Sequence, residues 1–256
     1  MSLENVDYAV ANHLARIEMN RPQVLNALSK GMFRDLTKAL GLATKDKHAR
    51  VIEITGAGEA FSAGLDIREV GGFKSMTEAR EFVYRLVKPF WDQLFRCEKP
   101  VISVVDGPAY GAGAEIALAS DIVIASTEST FAFSGGRVGA LCCLSGIIGS
   151  SLMNGRKLVE MNLTGAPLTA IEATNYGLVN YSVRREELTP TLEKIIREIM
   201  HVSPISNSSF KRIRKTDLSK TKLETAYREL LRTITSKDFR EGSSAFVAKR
   251  PPEYYR

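Results

Sequence analysis

The chain has 256 residues, of which 44% are hydrophobic and 25% charged, and its net charge is +6 at pH 7. These proportions are ordinary for a soluble globular protein with a real core, built as one large domain or as one domain with a small appendage. No apolar run approaches the roughly 20 residues that a membrane-spanning helix needs, which argues against a membrane protein.

Cysteine and histidine usage argues against a disulfide framework and against a metal site. Cys97, Cys142 and Cys143 are too few for such a framework, and adjacent cysteines rarely pair with each other. The three histidines lack ligand-like spacing to a cysteine or a carboxylate. The first residues lack the basic and apolar regions of a signal peptide, and the last are not a peroxisomal address, so we expect a cytoplasmic protein.

The first half of the chain alternates strand-like and helix-like segments. Strands are expected at 8–10, 14–19, 50–55, 101–105 and 122–125. Helices are expected from a cap at Ser29 to about residue 44, and from residue 76 to about residue 97. Strands separated by helices pair in parallel through crossover connections, which predicts an α/β architecture.

Beyond about residue 145 the strand signals fade. The segments 158–163, 170–176, 187–202, 205–215, 223–235 and 238–248 all have helical patterns. We therefore expect a core at 1–195 and a C-terminal helical region at 196–256.

Basic residues are concentrated at 211–222, namely Lys211, Arg212, Arg214, Lys215, Lys220 and Lys222. The excess positive charge indicates either attraction to a polyanion or no more than solubility. Apolar residues in this segment are too sparse for stacking on bases. We therefore expect a solvated basic face and do not expect a nucleic acid partner.

Residues 107–121, GPAYGAGAEIALASD, are the most informative segment. They follow a buried-strand pattern and run into an apolar, alanine-rich stretch that should be helical. Small residues at Gly111, Ala112 and Gly113 let a ligand approach free amides at the helix start, and Glu115 lies about one turn further on. Free amides, a helix dipole and one carboxylate suit the formation and protonation of an enolate.

A second glycine-bearing turn, GAGEAFSAGLDI at 56–67, follows the strand at 50–55. Together the two turns resemble the paired fingerprints of the crotonase superfamily, the enoyl-CoA hydratases and isomerases. Three further elements match that family in order: NRP at 20–22 with LNAL at 25–28, LTG at 163–165 with GLV at 177–179, and DFREG at 238–242 with the AF and KR that follow. The resemblance thus covers nearly the whole chain.

The resemblance implies a spiral of ββα repeats followed by helices that make trimer contacts, in a homotrimer or a hexamer of two trimers. It implies an acyl-CoA thioester as substrate, with coenzyme A as part of that substrate and no separate cofactor. It also implies that the backbone N–H groups of Leu65 and Ala112 hold the thioester oxygen, with Glu115 as the acid–base residue. The apolar neighbours of Glu115 predict a buried side chain with a raised pKa.

The same resemblance supplies candidates for substrate contacts. Those expected along the CoA moiety are Arg21, Ala63, Gly64, Asp66, Ile67, Arg68, Phe246 and Lys249. Those expected around the acyl group are Tyr110, Gly111, Gly135 and Arg137. Purely structural roles also suit several of them: surface exposure for the arginines, helix packing for Phe246, and tight turns for the glycines.

The sequence departs from the family at its second carboxylate. Enoyl-CoA hydratases carry a second glutamate twenty residues after the first, and here that position is Gly135. This replacement argues against two-carboxylate hydration and against the standard isomerase mechanism, which relies on the later glutamate. The usual Pro-Gly just beyond is replaced by Cys142 and Cys143, which we expect to pack in the pocket wall because no histidine lies near to activate a thiolate.

Three functions fit these observations. The one we expect is a hydratase that uses Glu115 alone. Another is decarboxylation of a malonyl-type thioester, with Arg137 orienting the leaving carboxylate, or hydrolysis of an acyl-CoA. The last is a non-catalytic relative that binds acyl-CoA or RNA.

Overall fold

Two β-sheets organise the protein in the computed structural model, which describes residues 3–214 and 219–254. The strands are β1 (Val6–Ala11), β2 (Leu14–Met19), β3 (Val51–Gly56), β4 (Val101–Val105), β5 (Pro108–Tyr110), β6 (Ile122–Ser126), β7 (Thr130–Ala132), β8 (Leu168–Thr169) and β9 (Tyr181–Val183). The larger sheet has the order β1-β2-β3-β4-β6-β9, and the smaller has the order β5-β7-β8.

The expected parallel pairing is confirmed for most of the larger sheet. Strands β2, β3, β4, β6 and β9 pair in parallel, and β1 pairs antiparallel with β2. Only two residues, Asn12 and His13, separate β1 from β2, and both have positive φ angles of 48° and 66°. So short a connection forms a hairpin, because a parallel pair needs a crossover of a dozen or more residues.

Helices cover both faces of the larger sheet. They are α1 (Lys30–Lys45), α2 (Ile67–Val70), α3 (Met76–Glu81), α4 (Lys88–Arg96), α5 (Ala112–Ala119), α6 (Ser145–Ile148), α7 (Gly155–Thr164), α8 (Ala170–Asn175), α9 (Leu188–Met200), α10 (Pro204–Arg214), α11 (Lys220–Ile234) and α12 (Lys237–Val247). Ser29 caps α1 as expected, since its hydroxyl accepts a hydrogen bond from the Met32 N–H. In the described part of the chain, none of the helices is long and apolar enough to span a bilayer.

The single helix expected at 76–97 is divided by a π-helical segment at Phe82–Val87. There the Lys88 N–H donates to the carbonyl of Val83, five residues back. The next residue, Pro89, has no N–H for an α-helical bond to Arg85, and its ring would crowd that carbonyl. The wider turn avoids this conflict and rotates the following helix α4.

The repeating unit of the fold is a long strand followed by a short one. Strand β4 is followed by β5, and β6 by β7, so that β5 and β7 pair in a second layer. Single bridges between Leu28 and Leu65 and between Ser62 and Ala109 extend this layer toward the first glycine turn. The topology thereby brings the turns at 56–67 and 107–121 side by side.

Two strands lie beyond residue 145, where the strand signals of the sequence fade. Strands β8 and β9 contain only two and three residues, too few to show a periodic pattern. The expected boundary between residues 195 and 196 falls inside α9. Helix α9 packs Leu192 and Ile195 against the larger sheet, where they contact a small core that includes Ile102 and Val104.

The solvated basic face expected at 211–222 is wrong for Lys211. This residue is only 5% exposed, and its ammonium group contacts the carboxylate of Asp121 and the carbonyl of Lys99. The contact fastens α10 to the segment before β4. Arg212 remains at the surface and pairs with Glu98 at 3.3 Å, and Lys215 lies outside the described residues.

Candidate active site

The start of helix α5 presents a free backbone amide. Gly111 precedes the helix with φ 53° and ψ −124°, and its own N–H donates to the carbonyl of Ala132 at 2.8 Å. Ala112 is the first helical residue, so its N–H has no partner one turn earlier. Within the described residues, this N–H donates to no protein acceptor.

The first glycine turn presents a second free amide. The Ala63 N–H donates to the carbonyl of Leu25, and the Asp66 N–H donates to the carbonyl of Leu28. The N–H of Leu65, between them, finds no acceptor among the residues that the structure describes. The hydrogen bonds on either side fix the turn and leave this one donor available.

These two turns touch at Gly64. A Cβ atom at Gly64 would lie 2.6 Å from the carbonyl oxygen of Tyr110 and 3.1 Å from the nitrogen of Ala112. The φ of Gly64 is +87°, which also favours glycine. Leu65 and Ala112 therefore both lie next to the point at which the two turns touch. Both residues line one cavity of about 660 Å³.

Glu115 lines the same cavity and is 3% exposed. Its Oε1 accepts hydrogen bonds from the N–H groups of Leu144 at 2.6 Å and Ser145 at 3.0 Å. Burial raises the pKa of Glu115 to about 7, against the opposing effect of these two backbone hydrogen bonds. The predicted burial and raised pKa are thus confirmed, and the other carboxylate oxygen accepts no bond from the described part of the chain.

The cavity brings together most of the residues expected at the site. Its lining includes Ala63, Leu65, Asp66, Ile67, Arg68, Tyr110, Gly111, Ala112, Glu115, Gly135, Arg137 and Phe246. Tyr110 lines the cavity, and its hydroxyl is hydrogen-bonded to Thr130 Oγ1 at 3.0 Å, so this residue both borders the cavity and supports the smaller sheet.

Three of the expected residues do not line the cavity. Arg21 donates to the carbonyl of Ala27 at 2.8 Å and to Asp66 Oδ2 at 3.0 Å, so its charge braces the turn at 63–67. Gly64 is buried within that turn, and Lys249 is exposed beyond the end of α12. These positions place Arg21 and Gly64 in support of the site.

A thiol lies beside the position at which the family has its second carboxylate. Gly135 lies in a short 3-10 turn at Ser134–Val138, and a Cβ there would lie 3.2 Å from Cys142 Sγ. Cys142 and Cys143 are both buried, and burial beside Glu115 raises the pKa of each thiol well above its usual value. Neutral thiols in the cavity wall agree with a packing role.

Several apolar residues of the cavity were not identified as site residues from the sequence, and four of them come from helical segments: Phe33, Val87, Trp91 and Leu230. They come from α1, the π-helical segment, α4 and α11. Their helical spacing marks a buried face, but spacing cannot tell whether that face meets the core or a cavity. In the described residues, no three His, Cys, Asp or Glu side chains gather in a way that could hold a metal ion.

Known proteins are similar to this chain in sequence. A model of the enoyl-CoA hydratase/isomerase family matches residues 9–256. A probable mitochondrial enoyl-CoA hydratase of Dictyostelium discoideum is 33% identical over 248 residues, which cover 93% of this chain and 86% of that protein. The 1,2-epoxyphenylacetyl-CoA isomerase of Escherichia coli K12 is 31% identical over 249 residues, covering 93% of each.

Solved structures have a similar fold. The crystal structure of an enoyl-CoA hydratase/isomerase from Mycobacterium paratuberculosis has a TM-score of 0.86 to this chain at 26% identity, and the match covers 94% of this chain and 97% of that one. The carnitinyl-CoA hydratase from Mycobacterium avium gives a TM-score of 0.84 at 27% identity, covering 98% of each chain. The fold is the crotonase fold, and the chain belongs to the enoyl-CoA hydratase/isomerase family.

Proposed function

We propose that the protein adds water to 2-enoyl-CoA thioesters, and removes it in the reverse direction, with Glu115 as its single acid–base residue. The observation that carries this proposal is the shared cavity. It joins two free backbone donors, at Leu65 and Ala112, to a buried carboxyl group whose pKa is about 7. Relatives named as enoyl-CoA hydratases support the same chemistry.

The chemistry proceeds through an enolate. The thioester oxygen accepts hydrogen bonds from the Leu65 and Ala112 N–H groups, and each such donor contributes about 3–4 kcal/mol as negative charge develops on that oxygen. Ionised Glu115 takes a proton from water while the hydroxide oxygen bonds to C3. Protonated Glu115 then returns the proton to C2, which restores the carboxylate and completes the addition of one water molecule.

The absence of a carboxylate at Gly135 is compatible with this scheme because the same proton leaves water and reaches C2. A pKa near 7 keeps both protonation states of Glu115 accessible at neutral pH, which one group that alternates between base and acid requires. The neutral Cys142 thiol adds no charge that would compete for this proton.

We also propose that the chain assembles into a homotrimer or a hexamer. Helix α10 exposes apolar side chains that a monomer would leave in water: Ile205 is 77% exposed, Phe210 64% and Ile213 70%. Light scattering of the purified protein measures its oligomeric state directly.

Hydration of crotonyl-CoA, followed by the loss of enoyl absorbance, tests the proposed function. We expect Glu115→Gln to lower the rate about 1000-fold, within the range of general acid–base contributions. The matched control is Glu160→Gln, which removes a surface carboxylate paired with Lys157. A Glu115→Gln protein that retained most of its activity would remove Glu115 from the mechanism.

A second function, decarboxylation of a malonyl-type thioester, is favoured by Arg137. This residue lines the cavity, and its Nε donates to the carbonyl of Thr164 at 3.0 Å. Its two outer nitrogens donate to no acceptor in the described residues, so they could pair with a substrate carboxylate. Release of CO2 from methylmalonyl-CoA, with crotonyl-CoA left unchanged, would select this function over hydration.

A further inference from the structure

One end of the cavity is exposed to solvent, and the other end is buried and apolar. Gln23, Ala63 and Arg68 lie at its exposed end. At its inner end, Phe33 is 0% exposed, Trp91 1%, Val87 2% and Leu230 3%. The phosphates of a CoA thioester cannot enter an apolar, water-poor space without a large desolvation penalty, so the acyl chain is the part that reaches the inner end.

One polar group at the inner end is uncommitted. No hydrogen bond joins the indole N–H of Trp91 to an acceptor within residues 3–214 and 219–254, and in this part of the chain its nitrogen is not one of the fully enclosed unpaired atoms, which are Tyr8 Oη, Glu53 Oε2 and Ser182 Oγ. The nitrogen therefore borders accessible space, and the cavity is the space that Trp91 lines. The nearest aromatic neighbours of Trp91, Phe90 and Phe95, have ring centroids at 4.9 and 6.4 Å and offer no oxygen acceptor. An indole N–H in an otherwise apolar cavity wall finds its hydrogen-bond partner in whatever fills the cavity.

We infer that the preferred substrates carry a neutral oxygen on the distal part of an otherwise apolar acyl chain, and that this oxygen accepts a hydrogen bond from Trp91 Nε1. This inference rests on the proposed function in one respect: it takes from it that the thioester oxygen lies at the N–H groups of Leu65 and Ala112. An oxo, hydroxyl or ether oxygen fits the site. A carboxylate does not, because Phe33, Val87 and Leu230 provide no counter-charge.

The chain contains a single tryptophan, so its fluorescence reports on this residue alone. The wild-type protein is titrated with octanoyl-CoA and with a set of oxo-octanoyl-CoA isomers in which the ketone is moved one carbon at a time. These saturated thioesters cannot undergo hydration, so only binding is measured. We expect at least one isomer to bind about tenfold tighter than octanoyl-CoA and to shift the Trp91 emission to longer wavelength.

The inference is overturned if no isomer binds tighter than octanoyl-CoA, or if no acyl chain changes the emission. Calorimetry of Trp91→Phe then tests the donor itself, because phenylalanine keeps a ring but loses the N–H. We expect this variant to lose the preference for the oxo isomer, and Leu230→Val, which alters the same wall without changing a donor, to keep it. If Trp91→Phe does not fold, the wild-type titration still decides.

Failure of this inference is distinguishable from failure of the proposed function. Binding of saturated thioesters does not depend on Glu115 chemistry, whereas turnover of crotonyl-CoA does not require an oxygen on the chain. A protein that binds an oxo isomer tightly but does not hydrate any enoyl-CoA would retain the substrate class and lose the hydratase assignment.

Discussion

The Oε1 atom of Glu115 accepts a 2.6 Å hydrogen bond from the backbone N–H of Leu144, although Glu115 is almost completely buried. The hydrogen bond favours the ionised carboxylate, and burial favours the neutral acid. Burial has the larger effect and raises the pKa to about 7. The side chain is therefore held in place by bonds that it can make in either state, while its proton remains exchangeable near neutral pH.

The first prediction concerns the pH dependence of activity. Because water must lose its proton to the ionised form of Glu115, kcat/KM for crotonyl-CoA should rise as pH increases through about 7 and become constant above it. Initial rates at low substrate concentration across pH 5 to 9 measure this profile. A flat profile across this range would contradict the assignment of Glu115 as the base.

The second prediction concerns stability. The folded-state pKa of Glu115, about 7, lies above the ordinary value of 4.5, so the folded protein binds more protons than the unfolded chain between these values. The contribution is fully present below pH 4.5 and is lost as pH rises through about 7, by up to about 3 kcal/mol.

Urea unfolding of the wild type and of Glu115→Gln at a series of pH values measures this contribution. Glutamine does not titrate, and its side-chain oxygen can still accept from the Leu144 and Ser145 amides. We expect Glu115→Gln to gain stability relative to the wild type as pH rises from 4.5 to 7. A difference that stays constant with pH would mean that the carboxyl group has an ordinary pKa in the folded protein.

The third prediction concerns the contact between the two glycine turns. Gly64→Ala places a methyl group 2.6 Å from the carbonyl oxygen of Tyr110 and 3.1 Å from the Ala112 nitrogen, so the turns must separate. We expect a loss of about 100-fold or more in kcat, comparable to the loss of one oxyanion donor.

Gly155→Ala is the matched control for Gly64→Ala, because a methyl group at Gly155 meets nothing within 4 Å. This control should keep its rate. Crotonyl-CoA hydration and circular dichroism, measured on both variants, separate a displaced amide from a protein that has not folded. Normal turnover by a folded Gly64→Ala protein would show that the geometry of this contact does not set the rate.

Features that depend on neighbouring residues could be predicted from the sequence, whereas features that depend on residues far apart in the chain could not. Gly64, Gly111 and Glu115 were identified because turn residues and a lone acid in an apolar helix are local features. Strand β9 was missed because three residues cannot show a period. The buried apolar end of the cavity was also missed, since Trp91 and Leu230 come to the same cavity only after helices far apart in the chain have packed.

Lys211 shows that the burial of a charged residue also depends on a partner far away in the chain. A cluster of basic residues in a sequence predicts a solvated face, but the partner that buries Lys211 is Asp121, ninety positions earlier. The Asp121 carboxylate is itself fixed by the Val101 N–H at 2.8 Å. Only the tertiary fold brings these three residues together.

The fourth prediction tests this buried ion pair. Lys211→Ala removes the buried cation beside a mostly buried carboxylate of Asp121, which keeps, among the described residues, only the Val101 N–H and the more distant Arg214 at 3.9 Å. We therefore expect a loss of about 2 kcal/mol in the free energy of unfolding. Arg212→Ala removes an exposed pair with Glu98 and should lose less than about 1 kcal/mol. Urea unfolding compares the two, and equal small losses would show that Lys211 is solvated after all.

The fifth prediction concerns the C-terminal segment and the turn that carries Gly135. The Tyr254 hydroxyl donates a 2.6 Å hydrogen bond to the carbonyl of Arg137, within Ser134–Val138. Removing this donor by Tyr254→Phe should lower the free energy of unfolding by about 1 kcal/mol. The substitution should also loosen the turn at Ser134–Val138 locally, because residue 254 no longer holds the carbonyl of Arg137.

Hydrogen exchange distinguishes this local effect from a general loss of stability. The Gly139 and Ala140 N–H groups donate to carbonyls of Gly136 and Gly135, so their exchange rates report whether the turn is closed. We expect both to exchange faster in Tyr254→Phe, while amides of α8 keep their rates. Tyr181→Phe, which alters a half-exposed tyrosine of β9, should change neither set, and equal exchange in the two variants would show that the tail does not hold the cavity wall.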